Sequence, residues 1–205
     1  MNYDFETLSY KFGVSRETFL HLENYIFHLK KWQEKINLVS RTTLEVIGER
    51  HIVDSLQLLP FVAASDSVVD IGSGAGFPGM VLSISGIFPV TLVESDLRKV
   101  AFLREIARIT RAPVTIIGSR IEIVDIASFS VVTCRAFMEL RKLLMLLEKK
   151  LLPHHSLLLL KGENYGTEIE EASRYFEFTY ENVPSLTHPH SVVSRVTHIR
   201  KRTSL

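Results

Sequence analysis

With a single cysteine, Cys134, among 205 residues, this chain cannot build an internal disulfide framework. That scarcity fits a reducing compartment, so the expected location is the cytoplasm. Long hydrophobic runs are also missing. No apolar stretch approaches the roughly 18 residues of a membrane span. The start, Met1-Asn2-Tyr3-Asp4-Phe5-Glu6, carries acids where a secretory signal would be basic and then apolar, and no membrane association is expected. Nor is there an excess of one charge: 24 Lys+Arg stand against 23 Asp+Glu, a formal net charge of +1. This excludes a bulk polycation that grips duplexes non-specifically. A nucleic-acid partner would have to be met by local patches, Lys30, Lys31, Lys35, Arg41 and Arg50 in the first third, or Arg195, Arg200, Lys201 and Arg202 at the end. A solvated face and a carboxyl-terminal tail would carry the same residues. His154-His155 and His188-Pro189-His190 lack further ligands at sensible spacing, and no metal is expected. Internal repeats and low-complexity segments are absent.

What is present is an ordinary globular composition, 46% hydrophobic, in a length that suits one well-buried α/β domain with an appendage. Residues 1–62 read as a helical cap. From 15 to 31, Phe19, Leu22, Ile26, Phe27 and Leu29 recur at helical spacing behind a Ser15 start. After the polar connection Trp32–Ser40, a second helix is predicted from Thr43 to about Leu59, stopped by Pro60. Residues 63–205 then alternate strand and helix, the pattern of a parallel sheet wrapped by helices. Strands are predicted at 67–71, 90–93, 114–117, 131–133 and 157–160, with helices at 79–85, 97–110 and 139–151. Two further strands, 176–183 and 191–199, are joined by a Pro-containing turn. The expected fold is therefore α/β, a seven-stranded, mostly parallel sheet with a carboxyl-terminal antiparallel hairpin and an amino-terminal helical extension. By fold analogy, such a hairpin separates the methyltransferase-type Rossmann sheet from the dinucleotide type.

The chain is organised around Val68–Gly79, V-V-D-I-G-S-G-A-G-F-P-G, a buried β-branched strand running into a glycine-rich turn and a helix. Gly72, Gly74 and Gly76 let such a turn be tight and its amides approach a ligand. Glu94 follows 22 positions after Gly72, at the tip of the next strand, where a carboxylate can accept both hydrogen bonds of a ribose diol. Phe77 stands where the nicotinamide fingerprint needs its third glycine, which disfavours a nicotinamide oxidoreductase. Asp70 could draw a cofactor ammonium group or orient the turn through its amides. Gly118 to Glu122 follows the third strand, where an adenine ring would lie. Ile121 could sandwich that ring, and Glu122 could serve it or simply begin a helix.

Six segments, in order, carry a resemblance: Lys35-Ile36-Asn37-Leu38-Val39-Ser40, Arg50-His51-Ile52-Val53-Asp54-Ser55, Asp70 to Gly79, Ser119-Arg120-Ile121-Glu122, Arg135-Ala136-Phe137 and Leu160-Lys161-Gly162. Together they resemble the RsmG family, also called GidB, bacterial methyltransferases that modify a guanine N7 in small-subunit (16S) ribosomal RNA. The resemblance runs from about residue 30 to the carboxyl end and departs at two places: Cys134, where a serine is expected, and the carboxyl end around Arg195, which matches loosely. It implies a class I S-adenosylmethionine-dependent methyltransferase, Rossmann-like. S-adenosylmethionine would be bound through Gly72, Phe77, Ile121, Glu122 and Arg135, with Glu94 at the ribose. The implied partner is 16S ribosomal RNA, in the small subunit or an assembly intermediate, met by a monomer.

Methyl transfer from a sulfonium is an in-line displacement governed by positioning and exclusion of water. Guanine N7 has a free lone pair and no proton, so no general base is expected. The sequence has no Asp/Asn-Pro-Pro-aromatic segment, and Cys134 lacks the preceding proline of a pyrimidine-attacking thiol, so it reads as a small buried residue. Arg135, just past the fourth strand, is the candidate that positions the substrate, as a donor fork on the base or as one half of an ion pair. Asn37, Lys161 and Arg195 are candidate RNA contacts. Asn37 could equally form a local turn and Lys161 could cap the sheet. His51 and Asp54, three apart, are expected to bond to each other. The competing reading is a noncatalytic RNA-binding ribosome assembly factor with a vestigial nucleotide-binding fold.

Overall fold

A computed structural model describes residues 3–202; residues 1–2 and 203–205, the outer ends of the two predicted segments, lie outside the described residues. Seven strands form one sheet in the order β3-β2-β1-β4-β5-β7-β6. They are β1 Val68–Ile71, β2 Val90–Glu94, β3 Val114–Gly118, β4 Val131–Arg135, β5 Ser156–Lys161, β6 Phe176–Pro184 and β7 Val192–Lys201. The first five are parallel, β7 runs antiparallel to β5, and β6 runs antiparallel to β7. β1 and β4 are neighbours from which the chain winds in opposite directions, so a crevice opens at their carboxyl ends, between Gly72 and Arg135.

All four residues of β1 and all five of β2 are buried, as expected of strands covered on both faces. One face is covered by α5 (Gly79–Ser85), α6 (Leu97–Thr110) and the cap helix α2 (Arg16–Gln33). Leu22, Tyr25 and Leu29 share a core there with Met80, Phe102 and Leu103. The other face is covered by α7 (Leu140–Leu147) and α8 (Tyr165–Ser173), which enclose Val132, Cys134, Leu157 and Leu159. Burial pushes the Cys134 thiol up to about 12, so it is a packed small residue and not a nucleophile.

Helix α2 starts where its cap places it, with Ser15 Oγ accepting from Thr18 N at 3.0 Å. Its buried face is rotated from the predicted one. Phe27 is 53% exposed, and Tyr25 is fully buried in the stripe, its hydroxyl donating to the Ala75 carbonyl in the glycine turn. Tyr25→Phe is expected to cost about 1–2 kcal/mol, the penalty of a buried carbonyl without its donor, read from urea denaturation.

The predicted helix from Thr43 to Leu59 is in fact broken. It consists of α3 (Arg41–Leu44), a π-helical turn Gly48–Val53, α4 (Asp54–Leu56) and a 3-10 turn Leu59–Phe61. Contacts from outside override the local period. The Tyr3 ring packs onto Gly48, where an added Cβ would lie 2.4 Å from Tyr3 Cγ, and the Arg50 carbonyl accepts a bond from Arg135. Two helices were not anticipated, α1 (Phe5–Phe12) and α8, and α7 ends four residues before Leu151.

Candidate active site

Three clefts line the carboxyl edge of the parallel strands. The first, about 360 Å³, lies over the glycine turn between Gly72, Gly74, Phe77, His51, Lys99 and Arg135. A second of about 320 Å³ shares Gly72 and continues over β2 and β3, lined by Val93, Ser119, Ile121, Glu122 and Phe137. The third, about 400 Å³, opens on the far side of Arg135 and Phe137 towards Arg50, Lys161 and Glu168. Phe137 stands between the second and the third, and its ring lies directly on Gly72: a Cβ there would come within 2.4 Å of Phe137 Cδ2. Gly72 therefore serves close approach as well as its positive φ of 64°.

The predicted cofactor residues divide into those that line this groove and those that shape it from behind. Gly72, Gly74, Phe77, Ile121, Glu122 and Arg135 are on its walls. Gly76 is not. Its Cα faces Tyr25 Oη, Met80 and Leu103, all within about 3.0 Å of an added Cβ, so it is a packing glycine that lets α2 dock on the turn. Asp70 is fully buried beneath the turn, accepting from Gly79 N at 3.1 Å through Oδ2, with Oδ1 unpaired. Burial pushes its carboxyl up to about 7. Of its two readings, the geometry matches the one that orients backbone, though through the first amide of α5. Glu94 accepts from Gly74 N and Asp96 N, both at 2.8 Å, one bond on each oxygen. It thus joins the strand tip to the turn while each oxygen keeps a lone pair. Glu122 lies exposed in the short 3-10 turn Ile121–Ile123, behind buried Ile121.

Arg135 belongs to a buried network. Its Nη2 contacts Asp54 Oδ2 at 3.0 Å and donates to the Arg50 carbonyl at 2.6 Å, and Nη1 donates to His51 Nδ1 at 2.6 Å. A guanidinium has no acceptor, so Nδ1 carries the lone pair and His51 Nε2–H donates to Thr43 Oγ1 at 3.0 Å. His51 also stacks on Phe77, with ring centroids 4.8 Å apart. Burial, then the Arg135 and Arg50 charges, depress its imidazole to about 3, so it is neutral. The expected His51–Asp54 bond is not formed: both residues bond Arg135 instead, and the ion-pair reading of Arg135 describes the geometry. Asp54 Oδ1 accepts from Gln57 Nε2 and from Thr187 Oγ1, and Gln57 Oε1 accepts from Leu186 N, which fastens the β6–β7 turn to the cap.

Lys161 is similarly engaged, donating to Met138 O at 3.0 Å and to Glu168 Oε2 at 2.7 Å. Asn37 is exposed beside Lys30 and Arg41 in a groove of about 560 Å³; the turn there is held by Gln33, whose Oε1 accepts from Leu38 N and Val39 N. Arg195 is not brought to the clefts. It pairs opposite Leu158 in mid-sheet, three residues or about 10 Å from the carboxyl edge, and donates to Ser156 Oγ. Among the described residues, Arg50 is a cation of the third cleft whose guanidinium makes no hydrogen bond or ion pair. Among them, too, no helix is long and apolar enough to cross a membrane, and no group of three His, Cys, Asp or Glu could hold a metal.

The mixed sheet with its closing hairpin, and a groove laid over a glycine turn and two strand tips, define a class I, Rossmann-like S-adenosylmethionine-dependent methyltransferase. Solved structures with this fold include MtNAS in complex with MTA and tNA (TM-score 0.60, 17% identity, 95% of this chain and 82% of that one). A TehB-like SAM-dependent methyltransferase from Corynebacterium glutamicum is also similar (TM-score 0.55, 14% identity, 87% and 98%). The family described as GidB, rRNA small subunit methyltransferase G, matches residues 19–197, and the chain belongs to it. Proteins named Ribosomal RNA small subunit methyltransferase G are 46% identical in Paramagnetospirillum magneticum, over 92% of either chain, and 43% identical in Rickettsia felis, over 92% of this chain and 97% of that one.

Proposed function

We propose that this protein transfers a methyl group from S-adenosylmethionine to N7 of one guanine in 16S ribosomal RNA, in the small subunit or an assembly intermediate, as a cytoplasmic monomer. The observation that carries this reading, beside family membership, is the adjacency of two kinds of cleft across the β1–β4 crevice. A groove over the glycine turn with a buried aliphatic wall at Ile121 meets a polar cleft lined by Arg50, Arg135 and Lys161, and the Glu94 carboxylate is tied to that turn through Gly74 N. The residues fit S-adenosylmethionine: Ile121 and Glu122 border the adenine end, Glu94 retains lone pairs for a diol, and Gly72 and Gly74 leave backbone open along the amino-acid end. When bound, the cofactor supplies an electrophilic methyl on a sulfonium.

The chain's own part is to position and to dry the site. Phe77 and His51 form one wall, and Arg135 fixes that wall to β4 by holding His51 and Asp54. Arg135 is thereby a positioning residue, bonded to His51, Asp54 and the Arg50 carbonyl, and Arg50 is a cation of the third cleft with donors free for a phosphate or for guanine O6. Since N7 has no proton to lose, transfer to this acceptor asks no proton removal of the residues at the crevice. Asn37, with Lys30 and Arg41, fits an RNA contact on the cap; Lys161 acts through Glu168; Arg195 would touch RNA only on the open face of the hairpin. Cap 1–62 and core 63–205 work as one unit, since α2 docks on the turn itself. A noncatalytic assembly factor is not favoured by relatives that are named methyltransferases.

Labelled S-adenosylmethionine, incubated with 16S RNA and with small-subunit particles, is expected to leave label on N7-methylguanine at one position. Label on an exocyclic amine or a pyrimidine carbon, or none on either substrate, would overturn the proposal.

A further inference from the structure

The third cleft contains two carboxylates with different prospects. Both oxygens of Asp54 are occupied, Oδ1 by Gln57 and Thr187 and Oδ2 by Arg135. Glu168, from α8, takes both of its bonds on one oxygen: Oε2 accepts from Leu140 N at 2.8 Å, at the start of α7, and from Lys161 Nζ at 2.7 Å. Its other oxygen, Oε1, has no protein partner among the described residues, and the side chain, 21% exposed, lines the cleft. Two donors thus lock the carboxylate in place, and its charge is balanced by Lys161. What remains is an oriented acceptor on the wall of a cleft that also presents the Phe137 ring and the Arg50 cation.

Among the four RNA bases, guanine alone offers two adjacent donors on one edge, N1–H and the N2 amino group. Adenine and cytosine set a donor beside an acceptor there, and uracil sets its N–H between two carbonyls. A carboxylate held as Glu168 is matches the guanine edge and repels the acceptors of the others. Aromatic faces such as Phe137 are the usual platform for an unstacked base. We infer that Glu168 is the guanine-selecting residue: its free oxygen accepts from N1–H and the N2 amino group of a base stacked on Phe137, which leaves the N7 edge on the far side of the base facing the cofactor groove. This rests on the methyl-transfer reading above and adds the residue that chooses the base.

The test compares RNA fragments carrying guanosine or inosine at the position that label mapping identifies, since inosine lacks only the N2 amino group. The wild-type protein is expected to favour guanosine about tenfold or more in kcat/KM. In Glu168→Gln, the amide oxygen stays with the Leu140 and Lys161 donors and turns its NH2 against the donors of guanine. Activity on guanosine is expected to fall about 100-fold and the guanosine-to-inosine ratio to approach one. A residue that only supports α7 would lower both substrates alike and leave the ratio unchanged, and that result overturns the assignment, as does a wild-type protein indifferent to inosine. Should the variant show no turnover, the same ratio is read from competitive binding of the two fragments to protein loaded with S-adenosylhomocysteine. If the wild-type protein places no label on guanine N7, the reaction itself was misread and this assignment falls with it; if it does and only the ratio is unmoved, Glu168 alone is ruled out.

Discussion

Arg135→Ala is expected to lose about 3–5 kcal/mol of stability, because it strands Asp54 as a buried carboxylate without a counter-charge. The two side chains are 16% and 10% exposed, so water screens little of the imbalance. The double variant with Asp54→Asn removes the stranded charge and is expected to recover a large part of that loss in urea denaturation. A double variant no more stable than Arg135→Ala would show that the pair is not the seam between cap and sheet. Methyl transfer by Arg135→Ala is expected to fall at least about 100-fold, since the His51–Phe77 wall and the β6–β7 turn both depend on this guanidinium. Affinity for S-adenosylhomocysteine is expected to change less than about tenfold, because the bonds Arg135 makes run to His51, Asp54 and the Arg50 carbonyl in the cap. Unchanged turnover would remove Arg135 from the site, and equal losses in binding and turnover would make it a direct cofactor contact.

This tie also shows where sequence reading reached its limit. Strand Val68–Ile71, the turn after it and helix Gly79–Ser85 were legible because their signals are local: a short run of buried β-branched residues and the glycines that follow it. The hairpin that closes the sheet was legible for the same reason. The cap was less so. Residues 43–59 have helical spacing, yet Gly48, Arg50 and His51 take their geometry from Tyr3 and Arg135, each far away in the chain. Gly76 reads as a ligand-facing glycine until Tyr25 is placed against it. Glu168 lies on a short helix with a weak apolar pattern, and nothing at its position announces Lys161 or Leu140. Phe137 belongs to the segment Arg135-Ala136-Phe137, but its contact with Gly72 depends on the loop after β4, where Ala136 takes a left-handed φ of 50°.

The same wall carries a pH dependence in which two terms oppose each other. Asp70 titrates at about 7 in the fold against 3.8 for an ordinary carboxyl, so between those values the folded protein holds a proton that the unfolded chain has released. Its contribution to stability therefore falls by about 1.4 kcal/mol per pH unit as pH rises. His51 titrates at about 3 against 6.5, so over that span the unfolded chain holds the proton and its contribution rises with pH at the same slope. From about pH 4 to 6.5 the two nearly cancel. Asp70→Asn removes the falling term, keeps an acceptor for Gly79 N and leaves His51 unopposed. Relative to the wild-type protein, this variant is expected to lose about 3 kcal/mol on going from pH 6.5 to 4, and to be the more stable of the two above pH 7. Urea denaturation at half-unit steps reads both effects. Parallel stability profiles for the two proteins would mean that Asp70 is already ionised at pH 4.5, with its charge balanced beneath the glycine turn.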